Sequence, residues 1–490
     1  MNTKSQIHVV WLKRDLRLHD NEAIFNALKT GKQLLLLYSF EPKLVNDPHY
    51  SQRHWDFIKQ SLVDLNNELT AYNSKVLVVQ SDIISVINQL LSQYNIADIY
   101  SHQETGLLVT YERDKSFKRF CKNNLITWHE VINNGVYRGL ENRDTWVELC
   151  NQFYEKEPLD FKPNDNQLLS VEAISTLETN FNIPSLETSE NSPFQKGGRT
   201  MGLKYLNSFF KDRYVNYMSN ISKPELSRKG CSRISPYIAW GNLSVREVYH
   251  QVFHLKAKSK HKKPLEAFMS RLRWQAHFVQ KFEMEHTMEE ASINKGFHKL
   301  KKGISEDFQI AWKTGQTGYP LIDAGMRCLN ETGYLNFRMR ALVVSFFTHN
   351  LWQPWQNATT HLSQMFLDFE PGIHFPQLQM QAGETGINIL RVYNPIKNSL
   401  EHDPEAKFIK KWVPELENLE IPFVHQPFLM TDMDQQFNNF KLGEDYPYPI
   451  VDMENSRKKA TDTLWGMRKN PLVVSEKLRI LRKHTNSKKT

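Results

Sequence analysis

The chain has 490 residues, of which 40% are hydrophobic, so it is long enough for two or three domains with a large buried core. It has no apolar stretch of about 18 residues, which argues against a transmembrane helix, and no apolar signal core near Met1, which predicts a cytoplasmic protein. The net charge of +8 favours a polyanionic partner, nucleic acid above all.

The first part of the chain alternates short apolar runs with amphipathic helical patterns. The runs are typical of strands buried on both faces and cover 9–12, 34–38, 76–79, 98–101 and 126–130. The helical patterns between them cover 22–28, 52–69, 83–94 and 110–123. This alternation predicts a doubly wound α/β domain with a parallel sheet over residues 1–135, although the domain has no GxGxxG dinucleotide motif.

The middle of the chain predicts a linker over residues 136–198. Its second half, 157–198, is interrupted by four prolines and closed by Gly197-Gly198, so we expect irregular structure there. Helical patterns follow at 201–210, 245–255, 265–282, 320–331, 336–353 and 406–413. Residues 199–490 are therefore predicted to form an all-helical domain.

The cysteines and the C-terminal segment point to no special chemistry by themselves. Four cysteines are scattered without CxxC spacing, which predicts reduced, mostly buried thiols and no structural metal site: Cys121, Cys150, Cys231 and Cys328. Residues 457–490 hold eleven Lys and Arg against two Asp and Glu. This segment is either a surface that faces DNA or a solvated helix.

Two segments combine charge with helix starts. Arg338 and Arg340 lie early in an apolar helix, where guanidinium groups are costly unless they are paired. Their partners are either the acidic pair Asp368 and Glu370, in an internal network, or the phosphates of a ligand. The segment 232–235, Ser-Arg-Ile-Ser before a proline, is either an anion cradle at a helix N-terminus or a plain helix cap that uses Ser235.

A third segment is the helix over 268–282. Arg271, Trp274, Phe278 and Lys281 are spaced so that they share one helix face. Basic and aromatic side chains on one face can stack a base and hold phosphates. The alternative is that the aromatic rings pack in the core while the cationic ends reach its edge.

Four segments, in order along the chain, resemble the signature motifs of the photolyase/cryptochrome family, of the class I DNA photolyase type. They are HVVWLKRDLRLHDN at 8–21, SRISPYIAWGNLS at 232–244, TGYPLIDAGMR at 317–327 and FIKKWVPEL at 408–416. The resemblance implies an α/β domain that is joined by a long linker to a helical domain holding non-covalent FAD. It also leaves room for a second, antenna chromophore of folate or deazaflavin type.

The resemblance also implies roles for single residues around the flavin. The residues that match contacts to the phosphates and ribose are Tyr217, Ser232, Arg233, Ile234 and Ser235. Those that match the surroundings of the isoalloxazine are Arg338, Arg340, Asp368 and Glu370, with His374 at the position facing N5. Trp312 and Trp355 match the outer two tryptophans of the chain that reduces the flavin, whereas the proximal one falls at or near Leu378. Trp352 and Tyr393 are the candidate substitutes.

The implied lesion pocket departs from the family at two positions. Trp274 matches the aromatic residue that stacks on a flipped-out base, and Lys281 on the same helix is expected to contact DNA. Arg271 stands where a carboxylate commonly binds the dimer, and Met380 where a second aromatic ring stacks. Trp274, Arg271 and His374 are therefore the expected catalytic residues.

The implied activity is the light-dependent repair of ultraviolet-induced pyrimidine dimers, by electron transfer from photoexcited reduced FAD. The expected partner is damaged DNA, and the expected state is a monomer. Two alternatives stay open: a cryptochrome-type blue-light receptor without repair activity, which the altered lesion pocket favours, and a flavoprotein with light-independent redox work.

Overall fold

The computed structural model describes residues 4–486, and its N-terminal part is built on one five-stranded sheet. All strand pairs are parallel, in the order β3-β2-β1-β4-β5. The strands are β1 Gln6–Leu12, β2 Gln33–Ser39, β3 Leu77–Val79, β4 Asn95–His102 and β5 Thr127–Val131. The predicted parallel α/β domain is confirmed, because each apolar run forms a strand that the chain can bury on both faces.

Helices cover both faces of this sheet. They are α1 Glu22–Leu28, α2 Pro42–Val45, α3 Gln52–Leu69, α4 Ile83–Gln93, α5 Leu108–Asn123, α6 Trp146–Glu155 and α7 Val171–Glu178. Val9 and Trp11 of β1 pack in one core with α4 and α5, whereas Val10 and Leu12 pack in the other with α1 and α3. Alternate residues of one strand thus serve two cores, as the pleat of a strand requires.

The expectation of irregular structure throughout 157–198 is wrong for residues 171–178, which form α7. Ser170 caps this helix by accepting a hydrogen bond from the Ala173 N–H, and Ile174 and Leu177 fill the core beside β3. Just before it, Leu168 forms a parallel bridge with Leu34 at the start of β2. The cap and two apolar residues are enough for a short helix when tertiary packing supports it.

The rest of the described chain is helical, as predicted. Its helices are α8 Arg199–Lys211, α9 Tyr217–Asn220, α10 Pro224–Gly230, α11 Ser235–Ala239, α12 Val245–Lys258, α13 Lys262–Met284, α14 Glu306–Thr314, α15 Pro320–Thr332, α16 Phe337–Ser345, α17 Gln356–Met365, α18 Pro371–Gln381, α19 Pro395–His402, α20 Lys407–Trp412, α21 Ile421–His425, α22 Asp432–Phe437, α23 Met453–Arg468 and α24 Pro471–His484. No helix within residues 4–486 is long and apolar enough to cross a membrane.

The single helix expected over 336–353 is wrong at its C-terminal end. After α16 the chain makes one π-helical turn at Phe346–Asn350, in which the Leu351 N–H donates to the Phe346 carbonyl. Trp352 then has a φ of +52°, so it lies in a left-handed turn outside the helix. The apolar pattern continues through this turn because the turn is itself buried, and the pattern therefore did not show where the helix ends.

Two of the motif segments meet at the contact between the sheet and the helices. Arg14 lies over the Trp240 ring at 4.3 Å and donates from Nε to the Ala239 carbonyl at 3.1 Å. Arg17 donates from Nη1 to the Gly241 carbonyl at 3.0 Å. Gly241 has a φ of +76°, and a Cβ there would lie 2.2 Å from the Arg14 carbonyl oxygen, so only glycine fits. These motifs therefore fix the helical part against the sheet.

Candidate functional site

An arginine–aspartate pair lies at the centre of the helical part. Asn336 caps α16 by accepting from the Met339 N–H, which places Arg340 in the second turn. Arg340 Nη2 lies 2.9 and 2.8 Å from the two Asp368 carboxylate oxygens, and its Nε donates to the Leu335 carbonyl at 2.9 Å. Of the two alternatives for Arg340, the structure shows the internal one, an ion pair with Asp368.

The other two charged residues of this segment have different neighbours. Arg338 is half-buried and lies close enough to His402 to help lower its pKa, away from both carboxylates. Glu370 accepts a hydrogen bond from Gln275 Nε2 at 3.1 Å, and burial raises its pKa although Arg14 lies nearby. The expected four-membered network is thus divided: one ion pair, one carboxyl group joined to α13 by an amide, and one separate guanidinium.

His374 follows Glu370 on the first turns of α18. Its Nε2 donates to the Thr359 carbonyl at 3.1 Å, and its ring packs edge-on against Phe369 and Phe375. Burial lowers the pKa of His374 to about 3, so the ring is neutral near pH 7. Because Nε2 carries the proton, Nδ1 has a free lone pair and can act only as an acceptor.

The segment 232–235 does not form a plain helix cap. Ile234 is the N-cap of α11 and makes no side-chain bond, while Ser235 is the first helical residue and is exposed. Arg233 has a φ of +62°, packs its guanidinium 3.8 Å from the centre of the Tyr334 ring and donates to Gln195 Oε1 at 2.8 Å. Its buried Nε has no hydrogen-bond partner among residues 4–486. The helix-cap interpretation is therefore wrong, and hydrogen-bonding capacity stays free at this segment.

The long helix α13 connects these groups to the surface. Arg271 is exposed and lies close to the buried Tyr217 of α9, which packs against α13. Trp274 lies one turn further on and is 49% exposed, with its ring 5.8 Å from Phe278. The next residue, Gln275, is the one that holds Glu370. The helix α13 thus places the exposed Trp274 directly next to the residue that hydrogen-bonds Glu370.

The predicted DNA contact of Lys281 is wrong, because this side chain lies inside the protein. Lys281 is only 5% exposed, and Phe278 is also buried. The four residues do share one face, but the C-terminal part of that face is enclosed, because Lys281 lies near Arg143, from the segment before α6, and near His484 of α24. Helical spacing predicts which side chains share one face of α13. The elements that pack against the helix decide which part of that face is exposed.

Replacing Lys281 by methionine is expected to stabilise the protein rather than to weaken DNA binding. Burial and the nearby Arg143 lower the pKa of Lys281 to about 8. The folded state therefore carries a penalty of up to about 3 kcal/mol below pH 8, which disappears as the pH rises to the unfolded pKa of about 10.5. Unfolding free energies between pH 7 and 10 should rise with pH in the parent and less so in Lys281→Met. A variant that is less stable than the parent at pH 7 would contradict this account.

The two tryptophans that match the electron-transfer chain are both fully buried. Trp312 donates from Nε1 to the Val343 carbonyl at 3.0 Å, and its ring lies 4.5 Å from Phe347. Trp355 precedes α17 and donates from Nε1 to the Ser292 hydroxyl at 3.0 Å. Leu378 on α18 is buried and Met380 is half-buried.

A narrow cleft lies between the sheet and the helical part next to this site. It is lined from the sheet by the segments after β1, β4 and β5, and from the helices by Gln275 and Glu370. Three buried polar atoms at its wall have no hydrogen-bond partner within residues 4–486: Arg14 Nη1, Gln103 Oε1 and Asn133 Oδ1. Buried polar atoms normally have partners, so the cleft is suited to a polar ligand.

The residues present fit FAD. A dinucleotide needs donors for its phosphates, and the free Nε of Arg233 and the exposed Ser235 hydroxyl supply them. A flavin ring needs fixed donors and acceptors around it, and the Arg340–Asp368 pair and the neutral His374 are of that kind. The roles of Tyr217, Ser232, Ile234 and Arg338 stay predictions.

A parallel α/β domain joined to a helical part with this donor set defines a two-domain dinucleotide-binding protein. Comparison with known families is more specific. Residues 8–142 match the family "DNA photolyase", and residues 268–466 match the "FAD binding domain of DNA photolyase". The chain belongs to the photolyase/cryptochrome family, and its helical part is the FAD-binding domain of that family.

Individual relatives span nearly the whole chain. A deoxyribodipyrimidine photo-lyase of Alkalihalophilus pseudofirmus is 27% identical, over 95% of this chain and 99% of its own. A cryptochrome DASH of Synechocystis is 28% identical, over 91% and 96%. The crystal structure of an archaeal photolyase from Sulfolobus tokodaii with two FAD molecules superimposes with a TM-score of 0.78, at 25% identity, over 94% of this chain and all of the other.

Proposed function

We propose that the protein repairs ultraviolet-induced pyrimidine dimers in DNA, using light absorbed by reduced FAD. The observation that carries the proposal is the position of Trp274. Its ring is exposed on α13, and the adjacent Gln275 holds Glu370 of the flavin site. A damaged base that is flipped out and stacked on this ring would lie beside the cofactor, as electron transfer to a lesion requires.

In this proposal the side chains of the protein bind the flavin and the lesion and hold them in a fixed orientation. Bound FAD supplies the light-driven electron that splits the dimer. Arg340 and Asp368 hold each other in one geometry and so present fixed hydrogen-bonding groups to the ring. Neutral His374 offers only an acceptor at Nδ1. Arg271, a donor-only side chain, faces the lesion from the same helix as Trp274 and would bind pyrimidine carbonyl oxygens.

A lysine-rich segment leads to this surface and supports DNA as the partner. Lys256, Lys258, Lys260, Lys262 and Lys263 lie at the end of α12 and the start of α13. Lys262 and Lys263 are exposed, and Trp274 lies 12 residues further along α13, which corresponds to about 18 Å of helix. Phosphates on either side of a flipped base fall within such distances, so the segment fits the backbone of a bound duplex.

Removing two of these lysines is expected to reduce the salt dependence of DNA binding. Each Lys–phosphate contact adds about 0.9 to the slope of log Kd against log salt, so Lys262→Ala/Lys263→Ala should lower the slope by about 2. Titrations of damaged duplex DNA at several salt concentrations measure it. The matched control is Lys407→Ala/Lys441→Ala, which removes two exposed lysines that are already paired with Glu405 and Glu444. If both double variants show the same salt-dependence slope, the lysine segment does not contact the DNA.

A blue-light receptor without repair activity is the second candidate. The observations that favour it are Arg271 and the half-buried Met380, at positions where a dimer-binding carboxylate and a stacking ring are expected. Both candidates use the same flavin site and differ in whether DNA is the substrate. Repair of a defined lesion, measured in light and in the dark, separates them.

The remaining features of the proposal concern the whole molecule. The cleft between sheet and helices, with its three unpartnered polar atoms, is the proposed site of a second chromophore of folate or deazaflavin type. We further propose that the protein works as a cytoplasmic monomer, with the sheet over residues 1–135, a linker over 136–198 and the FAD domain over 199–490. Chromophore extraction and sedimentation of the purified protein test these points.

A further inference from the structure

A line of hydrogen bonds connects the Trp355 indole to a buried ion pair. Trp355 Nε1 donates to Ser292 Oγ at 3.0 Å, and Ser292 Oγ donates to Glu384 Oε2 at 2.7 Å. Lys302 Nζ donates to the other oxygen, Glu384 Oε1, at 3.0 Å. Trp355, Ser292, Glu384 and the side chain of Lys302 are all buried. A buried indole is thus linked through one hydroxyl group to a carboxylate.

The other buried tryptophan of the pair lacks such a connection. The Trp312 N–H donates to the Val343 carbonyl, which is not a base, and the ring is enclosed by Phe347 and His361. A proton released there would have no carboxylate to receive it within this contact. Among these two residues, only Trp355 is built to lose a proton as well as an electron.

We propose that Ser292 and Glu384 form a proton relay that takes the indole proton when Trp355 is oxidised. The inference rests on the proposed function, because the oxidant is a light-excited oxidised flavin. One electron leaves the indole for that flavin, the Nε1–H bond breaks and its proton passes to Ser292 Oγ. The Ser292 hydroxyl proton passes at the same time to Glu384 Oε2, so the indole becomes a neutral radical and Glu384 a neutral carboxyl group. The flavin then carries the extra negative charge, and the positive charge that balances it is that of Lys302.

The physical reason lies in the burial of the indole. Loss of an electron turns indole into a much stronger acid, and a cation enclosed by apolar side chains is costly unless it is neutralised. Lys302 pairs with the far oxygen, Glu384 Oε1, so that Oε2 is left to accept from the Ser292 hydroxyl group. The backbone also holds the relay in place, because His298 Nε2 donates to the Ser292 carbonyl at 2.8 Å. The relay therefore needs no solvent at the indole.

The cationic side chains near the Trp352 ring argue against this residue as the substitute electron donor. Lys302 Nζ lies 5.1 Å from the centre of the Trp352 ring and Lys459 Nζ lies 5.9 Å from it. Glu384 balances the charge of Lys302, so the net positive charge at this ring is that of Lys459, which opposes oxidation of the ring to a cation. Trp355, by contrast, lies one helical turn before Thr359, whose carbonyl accepts from His374. The relay therefore lies beside the helix that carries His374.

The test is flash photolysis of the protein with oxidised flavin, in H₂O and in D₂O, on Glu384→Gln and Ser292→Ala. In the parent we expect the absorption of a deprotonated tryptophan radical, with a slower rise in D₂O. Either substitution should slow deprotonation by about 100-fold, the effect of removing a positioned base, so that the cation spectrum persists and recombines. Glu283→Gln is the matched control, since Glu283 is also a buried carboxyl group bonded by a hydroxyl, that of Tyr111 at 2.7 Å, with no tryptophan attached.

Further variants keep the result unambiguous. Trp355→Phe should abolish the radical signal and slow flavin photoreduction, and Trp312→Phe should do so less. A deprotonated radical that forms at the parental rate in both Glu384→Gln and Ser292→Ala would overturn the relay, and so would unchanged photoreduction in Trp355→Phe. Should Glu384→Gln lose its flavin, Ser292→Ala gives the same test with a smaller change. Repair from chemically reduced flavin does not use the relay. A loss of this repair would therefore count against the proposed function and not against the relay.

Discussion

Replacing Asp368 by alanine is expected to leave the purified protein largely without FAD. The substitution leaves Arg340 with the Leu335 carbonyl as its remaining hydrogen-bond acceptor and removes the constraint that fixes the guanidinium. Arg340→Ala should act in the same direction, because Asp368 is then left without its cation. The flavin-to-protein absorbance ratio after purification measures both.

The matched control is Glu415→Ala. Glu415 forms an ion pair with Arg327 at 2.9 and 2.7 Å in the same helical part, apart from the proposed flavin contacts and with a carboxylate that is more exposed than that of Asp368. This variant should retain its flavin. If Asp368→Ala and Arg340→Ala both keep full occupancy, the pair does not belong to the isoalloxazine pocket.

Replacing Trp274 by alanine is expected to remove most of the preference for damaged over undamaged DNA. Stacking of one base on an aromatic ring contributes about 1–3 kcal/mol, so the affinity for a lesion should fall by about 5- to 150-fold. The affinity for undamaged duplex should change little, because phosphate contacts dominate it. Competition binding with lesion-bearing and plain duplexes of the same sequence gives both values.

Trp465 provides a control of the same residue type. It is 49% exposed, the same fraction as Trp274, and lies on α23 in the basic C-terminal segment. Trp465→Ala should leave the preference for damaged DNA unchanged, whatever its effect on general binding. An equal loss of preference in both variants would show that the lesion is not stacked on Trp274.

The fold could be predicted from the sequence because its signals are local and repeated. Each strand is an apolar run that a helix follows along the chain, and α1 and α3 begin and end where their patterns do. The predictions failed where packing overrides local pattern. The helix α7 forms among prolines because Ile174 and Leu177 have a core to fill, and α16 stops at a buried turn that is as apolar as the helix itself.

The candidate site could be predicted only where a motif carries it. Arg340 and Asp368 are 28 residues apart, and the cost of an unpaired guanidinium made their pairing one of two alternatives, while the resemblance placed both residues around the flavin ring. Gln275, which links Trp274 to Glu370, and Gln195, which holds Arg233, lie outside the recognised residues. Ser292 and Glu384 are 92 residues apart and have no signature. Lys281 shows the reverse case: its spacing along the helix was predicted correctly, but the side chain is buried near Arg143 and His484 and not on the surface.

The most direct test of the account is single-turnover repair by the chemically reduced, FAD-loaded protein. Duplexes with one cyclobutane dimer or one (6-4) photoproduct are incubated with the protein in blue light and in the dark, and repaired strands are counted per flavin. We expect one of the two lesions to be repaired in light only, with normal repair in Trp355→Phe and greatly reduced repair in Trp274→Ala. Full flavin occupancy with no repair of either lesion would contradict the account and favour the light receptor.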